Sequence, residues 1–245
     1  MKKIRVIICI FTAMVLFAIS IGLATSGDMF LSFLGRKLHI DISYGTHTGF
    51  ISCFILRSIT LENPKLRLKD ADTSITCRTA HFTPRFDELW NKQTIVLECV
   101  LNDVSFPGIA EQFKDTKELA SLIQGDIQAL AEVISSVINY DYIYVTLALH
   151  GDRVTFRSFE AKSDKLILTA SGFITENSSF GIKLKIFFSP EFTKDFPVEL
   201  KEFLTKEGEG WLSYSLNAES GKDNPFFVLE SDRIKINFKK VEVHK

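Results

Sequence analysis

Apolar and polar residues alternate along most of this chain from Leu38 onwards. Leu38–Ser43, Lys65–Asp70 and Phe180–Ser189 carry apolar residues at every second position. Successive side chains of a β-strand point to opposite faces, so a period of two gives each strand one apolar and one polar face. Turn sequences such as Asn63-Pro64 separate the strands at short intervals. The pattern predicts a mainly antiparallel sheet that is solvated on one side only.

Four segments depart from this alternation. Ile109–Tyr140 repeats apolar residues at three- and four-residue steps and predicts a packed helical insertion. Asp28–Lys37 predicts one or two turns of amphipathic helix that could also lie against the outer membrane face. Pro84–Trp90 predicts a helical turn, and Pro190–Leu204 a loop with a short amphipathic helix. The fold class is therefore predicted to be mainly β with an inserted helical segment, an α+β chain.

The N-terminus carries a candidate membrane anchor. Lys2, Lys3 and Arg5 precede 19 uncharged residues, Val6–Ala24. A helix of that length spans roughly 28 Å, close to the hydrocarbon thickness of a bilayer. The positive-inside rule keeps the basic tip in the cytoplasm and places the rest of the chain outside it. The alternative is a cleaved signal peptide, but its apolar region is usually shorter, which favours a retained anchor.

These segments divide the chain into four parts. The predicted division is a basic tip and transmembrane anchor at 1–27, a β meander at 28–106, a helical segment at 107–140 and a C-terminal β-rich part, packed with the first, at 141–245.

The charge balance excludes one class of partner. The whole chain carries a net charge of -1. Nucleic-acid-binding domains usually carry a large basic excess, so no nucleic-acid partner is expected. The exported part is mildly acidic, which also argues against electrostatic capture of an anionic membrane as its main task.

The sequence contains no recognisable catalytic or metal-binding motif. Its five histidines are scattered, with no two at the spacing of metal ligands on a helix, and its cysteines form no C-x-x-C pair. His150-Gly151-Asp152 predicts a turn rather than a catalytic dyad. No catalytic residue, metal ion or cofactor is therefore expected, and the chain is predicted not to be an enzyme. An anchored hydrolase whose residues meet only in space remains an alternative.

Three cysteines lie beyond the predicted anchor. In a hairpin meander Cys77 and Cys99 could lie across from one another, which makes them candidate disulfide partners. The alternative is that Cys53, Cys77 and Cys99 are buried apolar thiols.

The order of elements over residues 1–106 resembles a known family. An anchor and a short helix precede a strand, a glycine-containing turn and a strand that ends in Asn63-Pro64. Two short alternating strands, a short helix with Leu89 and a strand ending in Asn102-Asp103-Val104-Ser105 follow. This order resembles the start of AsmA-like and TamB-like envelope proteins, and more broadly the repeating β-groove lipid carriers that include the chorein-type bridges.

The resemblance implies a curved, groove-like sheet whose concave apolar face holds acyl chains and whose convex face is polar. Candidate lipid-binding residues come from the alternating strands: Ile55, Ile59, Leu66, Leu68, Ile75, Ile95, Leu97, Ile182, Leu184 and Ile186. The alternative for each is an ordinary core position. Binding would be passive, through burial of methylene groups at about 0.8 kcal/mol each.

The expected protein is thus anchored in the inner (cytoplasmic) membrane by a single span, with its C-terminal domain in the periplasm. Its expected partners are membrane lipids and other envelope proteins. The first hypothesis is lipid binding or transfer through an apolar β groove. The second is a non-catalytic envelope assembly or scaffold protein that acts through protein partners. A small anchored jelly-roll of the LptC kind is a further alternative, which the long helical segment disfavours. A helical segment that fills the groove would leave no room for lipid.

Overall fold

The computed structural model describes residues 27–38, 40–48, 58–68, 74–85, 88, 93–106, 134, 136–175, 179–221, 226–231 and 235–239. The predicted anchor Val6–Ala24, nearly all of the helical segment Ile109–Tyr140, Ile55 and Cys53 lie outside these residues. Within these ranges no helix has both the length and the hydropathy needed to cross a membrane.

Fifteen described strands form one antiparallel sheet, which confirms the prediction of a mainly β chain. The strands are β1 (Ile40–Ser43), β2 (Thr46–Thr48), β3 (Ile59–Glu62), β4 (Lys65–Leu68), β5 (Ser74–Thr76), β6 (Thr79–Arg85), β7 (Ile95–Ser105), β8 (Asn139–His150), β9 (Arg153–Lys162), β10 (Leu166–Thr175), β11 (Phe180–Phe188), β12 (Thr205–Lys206), β13 (Leu212–Ser220), β14 (Phe226–Glu230) and β15 (Lys235–Lys239).

The sheet is a meander in which spatial neighbours follow each other along the chain. The short strands β1 and β2 continue one another in a single register against β4 and β3. In the same way β3 and β4 continue one another, and they pair with β6 and β5. Strands β5 and β6 also continue one another and both pair with β7. Beyond β7 the order is β8, β9, β10, β11, β13, β14 and β15. Hairpin connections of this kind follow directly from short turns between alternating segments.

Short helices accompany the sheet. Helix α1 covers 27–37, which confirms the helix predicted over Asp28–Lys37. Helices α2 (Pro190–Thr193) and α3 (Val198–Phe203) confirm the helical character of Pro190–Leu204. The helical turn predicted from Pro84 is wrong at its start, because β6 continues to Arg85. Within the described residues the pairing of β6 with β3 ends at Phe82, and Pro84, which is buried, pairs with Leu97 of β7.

A polar break crosses four neighbouring strands at one level. In each strand two outward-facing residues stand between two buried ones, as in Leu61-Glu62-Asn63-Pro64 and Leu101-Asn102-Asp103-Val104. The same pattern occurs at Cys77-Arg78-Thr79-Ala80 and Tyr140-Asp141-Tyr142-Ile143. The register aligns Glu62 with Thr79, Thr79 with Asn102 and Asn102 with Tyr142. We call this line the polar break.

At two of the four crossings of the polar break, between β3 and β4 and within β7, a residue has left-handed backbone. Asn63 has φ of 49° and Asp103 has φ of 51°. A single residue in this region inserts an extra step into the alternation, so buried side chains return to the same side of the sheet. Asn and Asp are the non-glycine residues that adopt this conformation at the lowest cost.

The core lies on one face of the sheet. Leu31 and Leu34 of α1 join it at the β1 side, and Phe196, Leu200 and Leu204 join it around α2 and α3. Phe196 packs edge-to-face against Phe188 of β11, with ring centroids 5.6 Å apart. Burial of these side chains, at about 25 cal/mol per Å² of apolar surface, ties the short helices to the sheet.

Cys77 and Cys99 are separate buried thiols, so the proposed disulfide between them is not formed. Cys99 pairs with Phe82 across β6 and β7. Cys77 lies five residues before Phe82, about 16 Å along the strand direction at 3.3 Å per residue. A disulfide requires Cα atoms within about 7 Å. The alternative reading, buried apolar thiols, is the one that fits these two residues.

Candidate functional site

The register places apolar side chains of successive strands side by side on the core face, which we call the apolar face. Directly paired residues in an antiparallel sheet project to the same side. One row crosses six strands in this way: Leu97, Leu147, Phe156, Gly172, Ile182 and Ala218. The face is continuous from β7 to β13.

Burial of the apolar face is lower at one end of strands β9, β10 and β11 than in the core. Leu97 on β7 is fully buried and Leu147 on β8 is 5% exposed. Phe156 on β9 and Ile182 on β11 are half-buried, and Ile174 on β10 is 41% exposed. We call Val154, Phe156, Ile174 and Ile182 the open end of the apolar face. Val154 and Phe156 pack partly against the core, whereas Ile174 and Ile182 offer apolar surface to solvent.

The predicted lipid-binding residues share this face but differ in depth. All that have described side chains project to the apolar face: Ile59, Leu66, Ile75, Ile95, Leu97, Ile182, Leu184 and Ile186. Ile59, Leu66, Leu97 and Ile186 are core residues. Ile75, Ile95 and Leu184 are half-buried and pack against that core.

Ile182 is the predicted residue that belongs to the open end. For Leu68 the backbone alone is described, within β4, and Ile55 lies outside the described residues. Four of the candidates therefore occupy ordinary core positions, the alternative that the sequence left open for each of them. Val154, Phe156 and Ile174 were missed, although the alternation of Arg153–Glu160 and Lys165–Thr175 contained the signal.

A close approach of two strands shapes the open end. Gly172 has φ of 152°, and a Cβ atom there would lie 2.0 Å from the carbonyl oxygen of Gly181 on β11. Only glycine permits this contact. Gly181 in turn is covered by the ring of Phe173, and the guanidinium of Arg153 lies 4.0 Å from the centroid of that ring. On the face opposite the apolar face, the Phe173 ring and the Arg153 guanidinium cover the space beside Gly181.

A β-bulge lies in β9, the strand next to β10. Arg157 is an extra residue in β9, seen as a register shift against both β8 and β10. Its guanidinium donates two hydrogen bonds to the Glu88 carboxylate, at 2.8 and 2.7 Å. Bulges redirect side chains and increase local twist. The bidentate pair connects β9 to the segment between β6 and β7, 69 positions earlier in the chain.

The opposite face carries a hollow of about 540 Å³. Short hydroxyl side chains and longer side chains line it together. The lining includes Tyr144, Ser158, Thr169, Ser171, Lys183 and Ser215.

Charges around the polar hollow are largely compensated. The Lys185 Nζ atom lies 2.8 Å from a carboxylate oxygen of Glu207. Hydrogen bonds from Lys185 and Ser213 lower the pKa of Glu207. The hydrogen bond from Tyr142 to Glu160 raises the pKa of the Tyr142 phenol. The hollow is thus a polar surface whose ion pairs are satisfied within the chain.

Two of the described histidines, His81 and His150, lie within hydrogen-bonding distance of threonine hydroxyls. Thr60 Oγ1 lies 2.8 Å from His81 Nδ1, and Thr94 Oγ1 lies 3.3 Å from His150 Nδ1. Gly151, with φ of 55°, forms the turn predicted at His150-Gly151-Asp152. Burial raises the pKa of the Cys77 thiol to about 11, which makes it a poor nucleophile at neutral pH. No three His, Cys, Asp or Glu side chains cluster as metal ligands within the described ranges.

A second hollow, of about 410 Å³, separates α1 from β1. Asp28, Arg36, Asp41 and Tyr44 line it, and the Tyr44 hydroxyl donates to Asp28 over 2.9 Å. Burial, followed by this contact with Asp28, raises the pKa of Tyr44.

No protein-family model, curated protein or solved structure matches the chain.

Proposed function

We propose that this chain is a single-span membrane-anchored envelope protein that binds acyl chains on the open end of its apolar face and helps to transfer lipid. The observation that carries the proposal is the difference in burial across one continuous apolar face, from Leu97 at 0% to Ile174 at 41% exposed. A folded chain gains nothing from apolar surface left in water, and such surfaces commonly serve binding.

Passive binding suits transfer. An acyl chain that buries six methylene groups against the open end gains about 5 kcal/mol. That corresponds to a dissociation constant of roughly 0.2 mM, which allows rapid release. The sheet supplies the rigidity, because Gly172 and the Arg157 bulge fix the spacing and twist of β9, β10 and β11. The proposed activity requires no catalytic group.

Site-specific photo-crosslinking in living cells tests the proposal. The full chain carries a benzoylphenylalanine at position 182 or, as a control, at position 183. Ile182 projects to the apolar face and Lys183 to the opposite face of the same strand. We expect phospholipid adducts, identified by mass spectrometry, at position 182 and not at 183. Equal adduct formation at both positions, or none at either, would refute lipid binding at the open end.

A charge substitution provides the second test. Ile182→Asp is expected to abolish co-purification of phospholipid with the full chain, because it places a carboxylate where acyl chains would lie. Lys183→Asp is the matched control and is expected to leave lipid binding unchanged. Circular dichroism of both variants establishes that the sheet is retained.

The alternative function, a scaffold that acts through protein partners, has one supporting observation. Val198 at the start of α3 is 66% exposed. The other apolar residues of this segment, Phe196, Leu200 and Leu204, are buried in the chain's own core. The segment therefore presents little surface to a partner. Protein adducts at position 198, together with no lipid adduct at position 182, would favour the scaffold.

A further inference from the structure

Helix α1 exposes two large apolar side chains on one stripe. Met29 is 68% exposed and Phe33 is 37% exposed. At 100° per residue, these two and the exposed Arg36 fall within an arc of about 60°. Leu31 and Leu34, on the other side of the helix, are buried in the core. The helix thus has one apolar side that packs on the sheet and a second apolar stripe that ends in a cation.

The position of α1 in the chain indicates what the stripe faces. The uncharged segment Val6–Ala24 ends three residues before the described helix begins at residue 27. Three residues span at most about 10 Å. If the segment crosses the membrane as proposed above, α1 begins within that distance of the outer bilayer surface.

Contacts with β1 and its neighbours hold α1 to the sheet. The Tyr44 hydroxyl, just after β1, donates to Asp28 of α1 over 2.9 Å. With Leu31 and Leu34 in the core, the helix cannot turn its exposed stripe towards the sheet. Its orientation relative to the sheet is therefore set by the fold.

We propose that α1 lies on the outer surface of the bilayer, with Met29 and Phe33 inserted at the boundary between head groups and acyl chains. Arg36 then lies at the level of the lipid phosphates, as long basic side chains do at membrane interfaces. The occupant of the stripe is the lipid bilayer in which the chain is anchored. This inference rests on the anchor in the proposed function and does not depend on lipid binding at the open end.

Docking of α1 on the bilayer determines how far the open end lies from the point of attachment. Six strand-to-strand steps separate the β1 and β2 pair from β10 in the meander. At about 4.8 Å per step, the path along the sheet is about 30 Å. A domain seated through α1 therefore presents its open end away from the point of attachment rather than beside it.

Fluorescence quenching in vesicles tests the docking. The full chain, carrying dansylalanine at position 29, 33 or 198, is reconstituted into phosphatidylcholine–phosphatidylglycerol vesicles with or without brominated acyl chains. Val198 is the matched control, since it is apolar, helical and 66% exposed, close to Met29 at 68%. Brominated lipid is expected to lower the emission at positions 29 and 33 by at least about twofold and to leave position 198 unchanged, because quenching requires insertion at the interface.

Two results would overturn the proposal, namely no quenching at positions 29 and 33, or the same quenching at all three positions. Alkaline carbonate extraction of the same vesicles reports separately on the anchor. A chain that resists extraction but shows no quenching overturns the docking of α1 alone. A chain that is extracted overturns the anchor and the docking together, whereas crosslinking at position 182 still reports on the open end.

Discussion

Arg78 and Asp103 form an ion pair across the polar break, with the Arg78 Nε atom 2.6 Å from the Asp103 Oδ2 atom. The Arg78 amide also donates to the Asn102 carbonyl over 3.0 Å. Both side chains are largely exposed, so the ion pair itself adds little stability. The backbone of Asp103, at φ of 51°, carries the larger structural requirement, because it lets Leu101 and Val104 face the same core.

Substitution of Asp103 should separate the backbone effect from the charge effect. Asp103→Val is expected to lower the free energy of unfolding by about 1–2 kcal/mol, because a β-branched residue is strained at positive φ. Asp103→Asn removes the charge and tolerates the backbone, so a change within about 0.5 kcal/mol is expected. Urea unfolding of the detergent-solubilised chain, followed by circular dichroism, measures both. A cost for Asn as large as that for Val would assign the effect to the ion pair instead.

The period of two predicted the strands and the face of each side chain, but it does not encode depth. Ile182 and Ile186 lie on the same face of β11, four residues apart and chemically identical. Ile186 is 2% exposed because it lies near the end of the strand that Phe188, α2 and α3 cover. Ile182 lies towards the end of β11 that these helices do not reach. This difference arises from packing between segments distant in sequence, which no local pattern contains.

Only part of the polar break could be predicted from the sequence. On β7 its position is marked by two consecutive polar residues, Asn102 and Asp103, in an otherwise apolar strand. Its alignment with Asn63 depends on register, and register depends on loop lengths and on the whole sheet. The same limitation produced the wrong disulfide. Adjacent strands made Cys77 and Cys99 plausible partners, but the register places Cys99 opposite Phe82.

The two ends of the apolar face should respond differently to truncation. Leu97→Ala is expected to cost about 2–5 kcal/mol, because it leaves a cavity in the fully buried part of the core. Ile174→Ala, at a position 41% exposed, is expected to cost less than about 1 kcal/mol. Chemical denaturation of the two variants checks the difference. Equal losses would mean that the open end is as tightly packed as the core, and would remove the basis for lipid binding there.

Gly172 should tolerate no side chain. Gly172→Ala places a Cβ atom 2.0 Å from the Gly181 carbonyl oxygen on backbone at φ of 152°. The expected cost exceeds about 3 kcal/mol, since β10 and β11 must separate. Gly208→Ala is the matched control, because a Cβ atom there meets nothing within 4 Å, and a change within about 0.5 kcal/mol is expected. Thermal unfolding followed by circular dichroism measures both. A Gly172→Ala variant as stable as Gly208→Ala would contradict the close approach of the strands.

The buried cysteines should resist alkylation in the native chain and react once it is unfolded. Burial disfavours the thiolate, raising the pKa of Cys77 from 9.0 to about 11 and that of Cys99 further still. At pH 8 roughly one Cys77 in a thousand is then a thiolate. The pKa of the Cys77 thiol is higher in the native state than in the unfolded state, so the protonated thiol stabilises the native state. This contribution to the free energy of unfolding is lost as pH rises from about 9 to 11.

Iodoacetamide labelling measured by peptide mass spectrometry tests this expectation at each cysteine separately. Peptides with Cys77 and Cys99 should remain unmodified at pH 8 in buffer and become modified in 8 M urea, roughly the concentration that unfolds most domains. The unfolded sample is the control for the intrinsic reactivity of each thiol. Native labelling of Cys77 as fast as in urea would show that the thiol is not buried. A cross-linked Cys77–Cys99 peptide in the unreduced digest would contradict the register of β6 and β7, because that register keeps the two sulfur atoms far apart.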